Sequence, residues 1–137
     1  MSSKPGTATR SIHAGRLDPR LQGAITTPIF QSSTFEYHGE EYHDVGYLRL
    51  SNSPNHQVLG KRIAALESTE AALATASGMA AISAALLSIL STGDHCLVQD
   101  CLYGGTTSLL NHELARLGIS HTAIDPQDPG SWAAALQ

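Results

Sequence analysis

Residues 74–82, ATASGMAAI, join a turn of small residues to the start of a long apolar segment. Ser77 suits the N-cap position, because its hydroxyl can accept a hydrogen bond from the free amides of a first helical turn. Gly78 has no side chain, so a ligand can approach the backbone there closely. A helix that begins here offers unpaired N–H groups and the positive end of its dipole, which together suit a phosphate dianion. The same residues also fit an ordinary strand-to-helix turn.

The elements that would position this turn follow from hydrophobic periodicity and turn residues. A helix is predicted from Pro54, which fits a first helical turn, with Val58, Leu59, Ile63 and Leu66 on one face. Further helices are predicted over residues 78–91 and 107–117 and after Asp128-Pro129, and strands over residues 71–75, 95–99 and 119–124, with a turn at residues 103–106. Strands that alternate with helices predict an α/β fold with a parallel sheet.

The N-terminal residues, up to about position 45, show no sustained hydrophobic period and are punctuated by glycine and proline. A segment of this length either wraps another part of the assembly or is a mobile tail. Residues 26–30, TTPIF, hold apolar side chains that a free tail would not need. An ordered arm is therefore predicted.

Composition bounds the class of protein. The chain has 137 residues, of which 42% are hydrophobic and 15% charged, with a net charge of −4. Scattered Lys and Arg argue against a nucleic-acid surface, and the apolar run at residues 79–90 is too short to span a membrane. Cys96 and Cys101 fit a reducing cytosol, and the seven histidines show no metal-ligand spacing. A soluble cytoplasmic protein is expected, with no metal, membrane or nucleic-acid partner.

Four local patterns then occur in one order: SIHAG at residues 11–15 with TPIFQ at 27–31, YLR at 47–49, SGM at 77–79 and YGGT at 103–106. With these patterns the chain resembles the Cys/Met-metabolism (trans-sulfuration) enzymes that use pyridoxal phosphate. That group includes cystathionine γ-synthase, cystathionine γ- and β-lyases, methionine γ-lyase and O-acylhomoserine sulfhydrylases. The resemblance covers nearly the whole chain and implies the first third of such an enzyme.

The resemblance also implies a domain arrangement. Residues 1–52 would form an extended N-terminal arm that contacts the neighbouring subunit of a homodimer or homotetramer. Residues 53–137 would form the start of the large pyridoxal-phosphate-binding α/β domain of a fold-type-I, aminotransferase-like enzyme.

Site residues are implied where the motifs match. Gly78 and Met79 resemble the pair whose backbone amides hold the cofactor phosphate. Tyr47 and Arg49 resemble the pair that reaches the neighbouring subunit's phosphate, and a phenol and a guanidinium fork both donate to a dianion. Tyr103 resembles the ring that stacks on the pyridine and can take part in proton transfers. Taken singly, Tyr103 also fits the edge of a core, and Arg49 a solvated loop.

Two departures from the family pattern stand out. One extra residue lies between Asn52 and Pro54, where the family has a compact Asn-Pro-Thr turn, which affects the orientation of Arg49. The family's Schiff-base lysine is also missing, since Lys4 lies in the tail and Lys61 on the polar side of a predicted helix.

The predicted function is a carbon–sulfur lyase or transferase that acts on an amino acid such as cystathionine or an O-acylhomoserine. Methionine γ-lyases of the family usually have cysteine where this chain has Gly105, which favours a cystathionine lyase or synthase. The alternatives are a non-catalytic α/β module that associates with itself or an intact paralogue, and a nucleotide-binding domain that uses the turn at residues 77–78.

Because no lysine matches the family's position, the 137-residue chain alone is expected not to be a competent enzyme. A coupled assay of the purified chain with cystathionine and pyridoxal phosphate should show no turnover. Measurable turnover would contradict this expectation.

Overall fold

The computed structural model describes residues 5–16, 18–39 and 41–136, apart from the side chains of His43 and Pro129. The chain divides into an N-terminal unit that ends at Ala74 and a C-terminal unit that begins at Thr75. The boundary predicted between residues 52 and 53 stays a prediction about functional domains, because the division into compact units falls later in the chain. No helix among the described residues is long and apolar enough to cross a membrane.

The N-terminal unit contains two α-helices, α1 (Thr7–His13) and α2 (Pro54–Glu67), and short 3-10 turns at Leu21–Gly23, Tyr42–Asp44 and Leu48–Leu50. Arg10 fastens α1 to the end of α2, because its Nη2 donates to the Leu66 carbonyl at 2.8 Å and to Ser68 Oγ at 3.1 Å. Gly15 has φ +64°, and a Cβ there would lie 2.5 Å from Arg62 N. Only glycine allows this close approach to α2.

Helix α2 begins at Pro54 as predicted, but its buried face differs from the predicted one. Val58 is buried, whereas Leu59 is 46% and Ile63 42% exposed. Gly60 is buried instead, and a Cβ there would lie 2.6 Å from the Ala72 carbonyl oxygen. Helix α2 therefore turns its small residues toward the segment around Ala72 that follows it. The close approach of this segment decides which face of α2 is buried.

The C-terminal unit contains α3 (Gly78–Ile89), β1 (His95–Gln99), α4 (Gly104–Ser108), β2 (Ser120–Ile124) and α5 (Pro129–Ala135). Helix α4 continues directly into a π-helical turn, Leu109–Leu114. Strands β1 and β2 are parallel, with His95 opposite Ser120 and Gln99 opposite Ile124. The predicted βαβ order and parallel pairing are confirmed for these two strands. Asp128 caps α5 as predicted, since its side chain accepts from Gly130 N at 2.9 Å.

The core of the C-terminal unit is a cluster of Leu110, Leu114 and Ile119. Partly buried side chains from α3 and its C-cap, from β1, from the loop that follows β1 and from the π-helical turn pack against it: Leu86, Leu90, Cys96, Val98, Leu102 and Leu109. Cys96 and Val98 alternate along β1, so one face of the sheet meets this cluster. Burial raises the pKa of the Cys96 thiol.

Three predicted elements differ from the structure. Residues 71–75 form neither strand nor helix, and the described residues hold only the two-stranded sheet β1-β2. A strand requires the backbone of a neighbour, and this segment has none among the described residues. Helix α4 begins at Gly104 rather than Thr107, so the two glycines lie in its first turn, and α3 ends at Ile89 rather than residue 91.

Leu114→Ala should destabilise the C-terminal unit by about 2–5 kcal/mol, because it removes a core side chain that is 1% exposed. Chemical denaturation followed by circular dichroism measures the change. Leu117→Ala is the matched control, since Leu117 is 49% exposed in the same connection and should change stability far less. Equal effects of the two substitutions would contradict this core.

Candidate functional site

The first turn of α3 keeps two backbone donors free. Ser77 is extended (φ −160°, ψ 162°), and its Oγ accepts from Ala80 N at 3.1 Å, while its carbonyl accepts from Ala81 N at 3.1 Å. In the described part of the chain, the amides of Gly78 and Met79 have no hydrogen-bond partner. A Cβ at Gly78 would meet no atom within 4 Å. The predicted serine cap therefore leaves the Gly78 and Met79 amides available to a ligand.

Tyr103 and Met79, which are distant in sequence, meet at Gly105. Tyr103 is the N-cap of α4, and its ring lies close to Gly105 in the first turn of that helix. A Cβ at Gly105 would lie 2.7 Å from Tyr103 Cε1 and 3.0 Å from Met79 Sδ. The ring and the sulfur therefore both rest against bare backbone, and Tyr103 remains 73% exposed.

These features define the chemistry that the C-terminal unit can offer. Two free amides lie at the positive end of a 12-residue helix, which suits a dianion. The exposed ring of Tyr103 and the sulfur of Met79, the second residue of that helix, both approach Gly105, and such a ring can stack on a flat heterocycle. The donors and the ring fit a molecule that combines a phosphate with an aromatic ring.

Tyr47 and Arg49 also lie together, within the N-terminal unit. Tyr47 forms an isolated antiparallel bridge with Thr34, and the 3-10 turn Leu48–Leu50 follows it. Arg49 Cζ lies 5.9 Å from the centroid of the Tyr47 ring, within the range of a cation–π contact. The guanidinium is exposed, so its donors remain accessible to an anion.

Two residues that shape the site were missed by sequence reasoning. The sequence pattern predicts an open turn at Gly105, whereas the Tyr103 ring lies close to this glycine in the structure. The pattern places Asn52 only in a variant turn, whereas its side chain binds the backbone on both sides of Gly46. An asparagine soon after an extended segment was the available signal, because its carboxamide can pair with backbone groups.

The structure shows where two of the residues involved in the departures from the family pattern, Lys61 and Ser53, lie. Lys61 is exposed on α2 beside a cleft of about 370 Å³ in the N-terminal unit, while Lys4 lies outside the described residues. The extra residue Ser53 is fully buried as the N-cap of α2, and its Oγ lies 2.7 Å from His56 Nδ1. Among the described residues, no group of His, Cys, Asp and Glu could hold a metal ion.

Comparison with known proteins identifies the family. A family model described as Cys/Met metabolism PLP-dependent enzyme matches residues 8–137. The chain belongs to this family. Its members depend on pyridoxal phosphate (PLP), so the family and cofactor predicted from the motifs are confirmed.

Individual relatives carry several reaction names. The chain is 44% identical over 133 residues to an L-methionine gamma-lyase of Fusobacterium nucleatum subsp. polymorphum. This match covers 90% of this chain and 33% of the relative. It is also 41% identical over 142 residues to an O-acetyl-L-homoserine sulfhydrylase of Corynebacterium glutamicum. That match covers 96% of this chain and 32% of the relative.

A solved structure supports the fold class. The crystal structure of cystathionine gamma-lyase from Lactobacillus plantarum complexed with L-serine matches with a TM-score of 0.85 and 33% identity, over 97% of this chain and 34% of that chain. The predicted α/β fold of a PLP-dependent enzyme is thereby confirmed. The chain spans about a third of the length of the relatives that it matches.

Gly105→Ala should move the Tyr103 ring, because the new methyl group would lie 2.7 Å from Cε1. With 3-fluorotyrosine incorporated, 19F NMR should show one shifted resonance among the four tyrosines. Gly104→Ala is the matched control, since a Cβ there meets nothing within 4 Å and should leave the spectrum unchanged. An unshifted spectrum for Gly105→Ala would contradict the contact.

Proposed function

We propose that the chain is the PLP-binding beginning of an enzyme that breaks or exchanges carbon–sulfur bonds in amino acids of the cystathionine or O-acylhomoserine class. The observation that carries this proposal is the pair of free amides at Gly78 and Met79, together with the approach of the Met79 sulfur and the exposed Tyr103 ring to the same glycine, Gly105. Family membership and the names of the relatives support the same class of reaction.

The phosphate would be held by the first turn of α3. The Gly78 and Met79 amides donate to the phosphate oxygens, and the helix dipole adds a favourable field. Gly78 lets the phosphate reach the backbone, because nothing projects from its Cα. Charge-assisted hydrogen bonds of this kind contribute about 1.5–3 kcal/mol each.

The ring of the cofactor would stack on Tyr103. When bound, PLP supplies an electron sink that makes bonds at the substrate α-carbon easier to break. Tyr103 would exclude water from the face of the cofactor ring that it covers. Its exposed hydroxyl can also accept or donate a proton at the substrate.

Tyr47 and Arg49 are proposed to donate to the phosphate of a neighbouring subunit, which implies a homodimer or a tetramer of such dimers. The exposed guanidinium beside the Tyr47 ring supports this role, because both groups can donate to one dianion. The N-terminal arm, residues 1–52, would contact the same neighbour. We place the protein in the cytoplasm, where its two free cysteines remain reduced.

Turnover is assigned to a longer parent protein that carries the lysine for covalent attachment of the cofactor. Lys61 is exposed on α2 in the N-terminal unit. We propose that this parent protein is a cystathionine lyase or synthase, because Gly105 stands where methionine γ-lyases usually have a cysteine.

Gly78→Pro tests the phosphate site with little structural cost, because proline is favoured at the first helical position and Ser77 is already extended. The substitution removes one amide donor. Titration followed by fluorescence should show that the preference for PLP over phosphate-free pyridoxal falls roughly tenfold or more, the equivalent of one charge-assisted hydrogen bond.

Gly78→Ala is the comparison variant, since it keeps the amide and adds only a methyl group that meets no protein atom within 4 Å. Its preference for PLP should fall less than that of Gly78→Pro, because it narrows the approach to the backbone but removes no donor. An unsubstituted chain that binds PLP and pyridoxal equally would contradict the proposal and favour the non-catalytic module. Thermal stabilisation by ADP, but not by PLP, would favour the nucleotide-binding alternative.

A further inference from the structure

The backbone of residues 45–48 is held along one edge by residues 33–35. Phe35 N donates to the Gly46 carbonyl at 3.1 Å, and Leu48 N donates to the Ser33 carbonyl at 2.9 Å. In an extended segment, successive residues direct their N–H and C=O groups to opposite edges. The polar groups of Val45 and Tyr47 therefore face the other edge, where no backbone strand is present among the described residues.

The side chain of Asn52 occupies that other edge. Its Oδ1 accepts from Tyr47 N at 2.9 Å, and its Nδ2 donates to the Val45 carbonyl at 2.6 Å. The carboxamide thus makes the two hydrogen bonds that a neighbouring strand would otherwise make. We call this arrangement, Asn52 with Val45 and Tyr47, the Asn52 clamp.

Two further hydrogen bonds fix the position of the clamp. Ser51 adopts the left-handed conformation (φ 54°), and its amide donates to the Leu48 carbonyl at 3.1 Å, which folds the chain back toward Tyr47. The carbonyl of Asn52 accepts from Gln57 Nε2 at 3.1 Å, which attaches the clamp to α2. Asn52 is consequently held both through its side chain, which binds Val45 and Tyr47, and through its own backbone.

We propose that Asn52 is the positioning residue for Tyr47 and Arg49. The clamp holds the Tyr47 amide, and the Tyr47 carbonyl accepts from Leu50 N at 2.9 Å, so the turn that carries Arg49 starts from a fixed point. The ring and the guanidinium 5.9 Å from its centroid are then presented together to one anion. This inference rests on the proposed function, in which that anion is the phosphate of PLP.

Asn55 provides a matched control. Its Oδ1 accepts from Phe30 N at 3.0 Å and its Nδ2 donates to the Phe30 carbonyl at 2.7 Å. The same residue type therefore makes the same pair of bonds three positions later, but to the segment around Phe30. Asn55→Ala removes an equivalent clamp and leaves that of Tyr47 in place.

Amide hydrogen exchange, measured by NMR on the whole chain, tests the clamp directly. Asn52→Ala should accelerate exchange of the Tyr47 amide tenfold or more, because Asn52 Oδ1 is its acceptor. Asn55→Ala should accelerate exchange at Phe30 and leave Tyr47 unchanged. Exchange at Tyr47 that is equally fast with and without Asn52 would overturn the inference.

Ligand discrimination tests the positioning role, because a purely structural defect would weaken PLP and pyridoxal alike. Asn52→Ala should lower the preference for PLP over pyridoxal about as much as Arg49→Gln, and the double variant should lose little more than either. Asn55→Ala should retain the preference. Loss with Arg49→Gln but not with Asn52→Ala would overturn the inference and leave the proposed function intact.

A failure of the proposed function gives a different pattern. The unsubstituted chain would then show no preference for PLP, and the positioning of Tyr47 and Arg49 toward a phosphate would be overturned with it. The exchange measurement would still decide whether Asn52 holds Tyr47.

Discussion

An α-helix cannot satisfy the amides of its own first turn, and this constraint organises the C-terminal unit. At α3 the serine cap takes Ala80 N and leaves Gly78 and Met79 with free donors. Glycine at the first helical position keeps the approach to those donors open. The helix stays in place because Leu86, near its end, and Leu90, its C-cap, pack against the core of the unit. Packing at one end thus supports polar chemistry at the other.

The N-terminal unit solves a different problem, since it holds its extended segments without a regular sheet. Side chains make the bonds that backbone would make elsewhere: Arg10 binds the end of α2, while Asn52 and Asn55 pair with Tyr47 and Phe30. Each of these bonds satisfies a backbone group that would otherwise need water or a strand. Polar side chains at single positions therefore determine the path of this unit, and hydrophobic periodicity carries little information about it.

Sequence reasoning succeeded where the determinants are local. The caps of α2, α3 and α5 follow from Ser-Pro, Ser-Gly and Asp-Pro pairs, and the buried strands β1 and β2 follow from short apolar runs. It failed at residues 71–75, because a strand depends on a partner that local sequence does not reveal. It also placed the start of α4 too late, because glycine is a poor helix former, and chose the wrong face of α2, where contact with Ala72 overrides periodicity.

The sequence indicated part of the geometry of the candidate site, whereas the roles of its residues stay predictions. The residue types at Gly78, Met79 and Tyr103 suggested a phosphate and a ring, and the structure brings Met79 and Tyr103 together. The roles of Gly105 and Asn52 could not be predicted, because both depend on which atoms fold back upon them.

The π-helical turn at Leu109–Leu114 has a consequence for the ligand end of α4. A wider turn accommodates an additional residue, so the helix on its two sides is out of phase with an uninterrupted α-helix. Leu110 and Leu114 can therefore face the core while Gly105, one turn earlier, faces Met79. Shortening the helix by one residue at the wide turn would rotate the glycine by about 100° relative to the two leucines. The angular offset between the two core leucines and Gly105 is thus set by a backbone irregularity rather than by any nearby side chain.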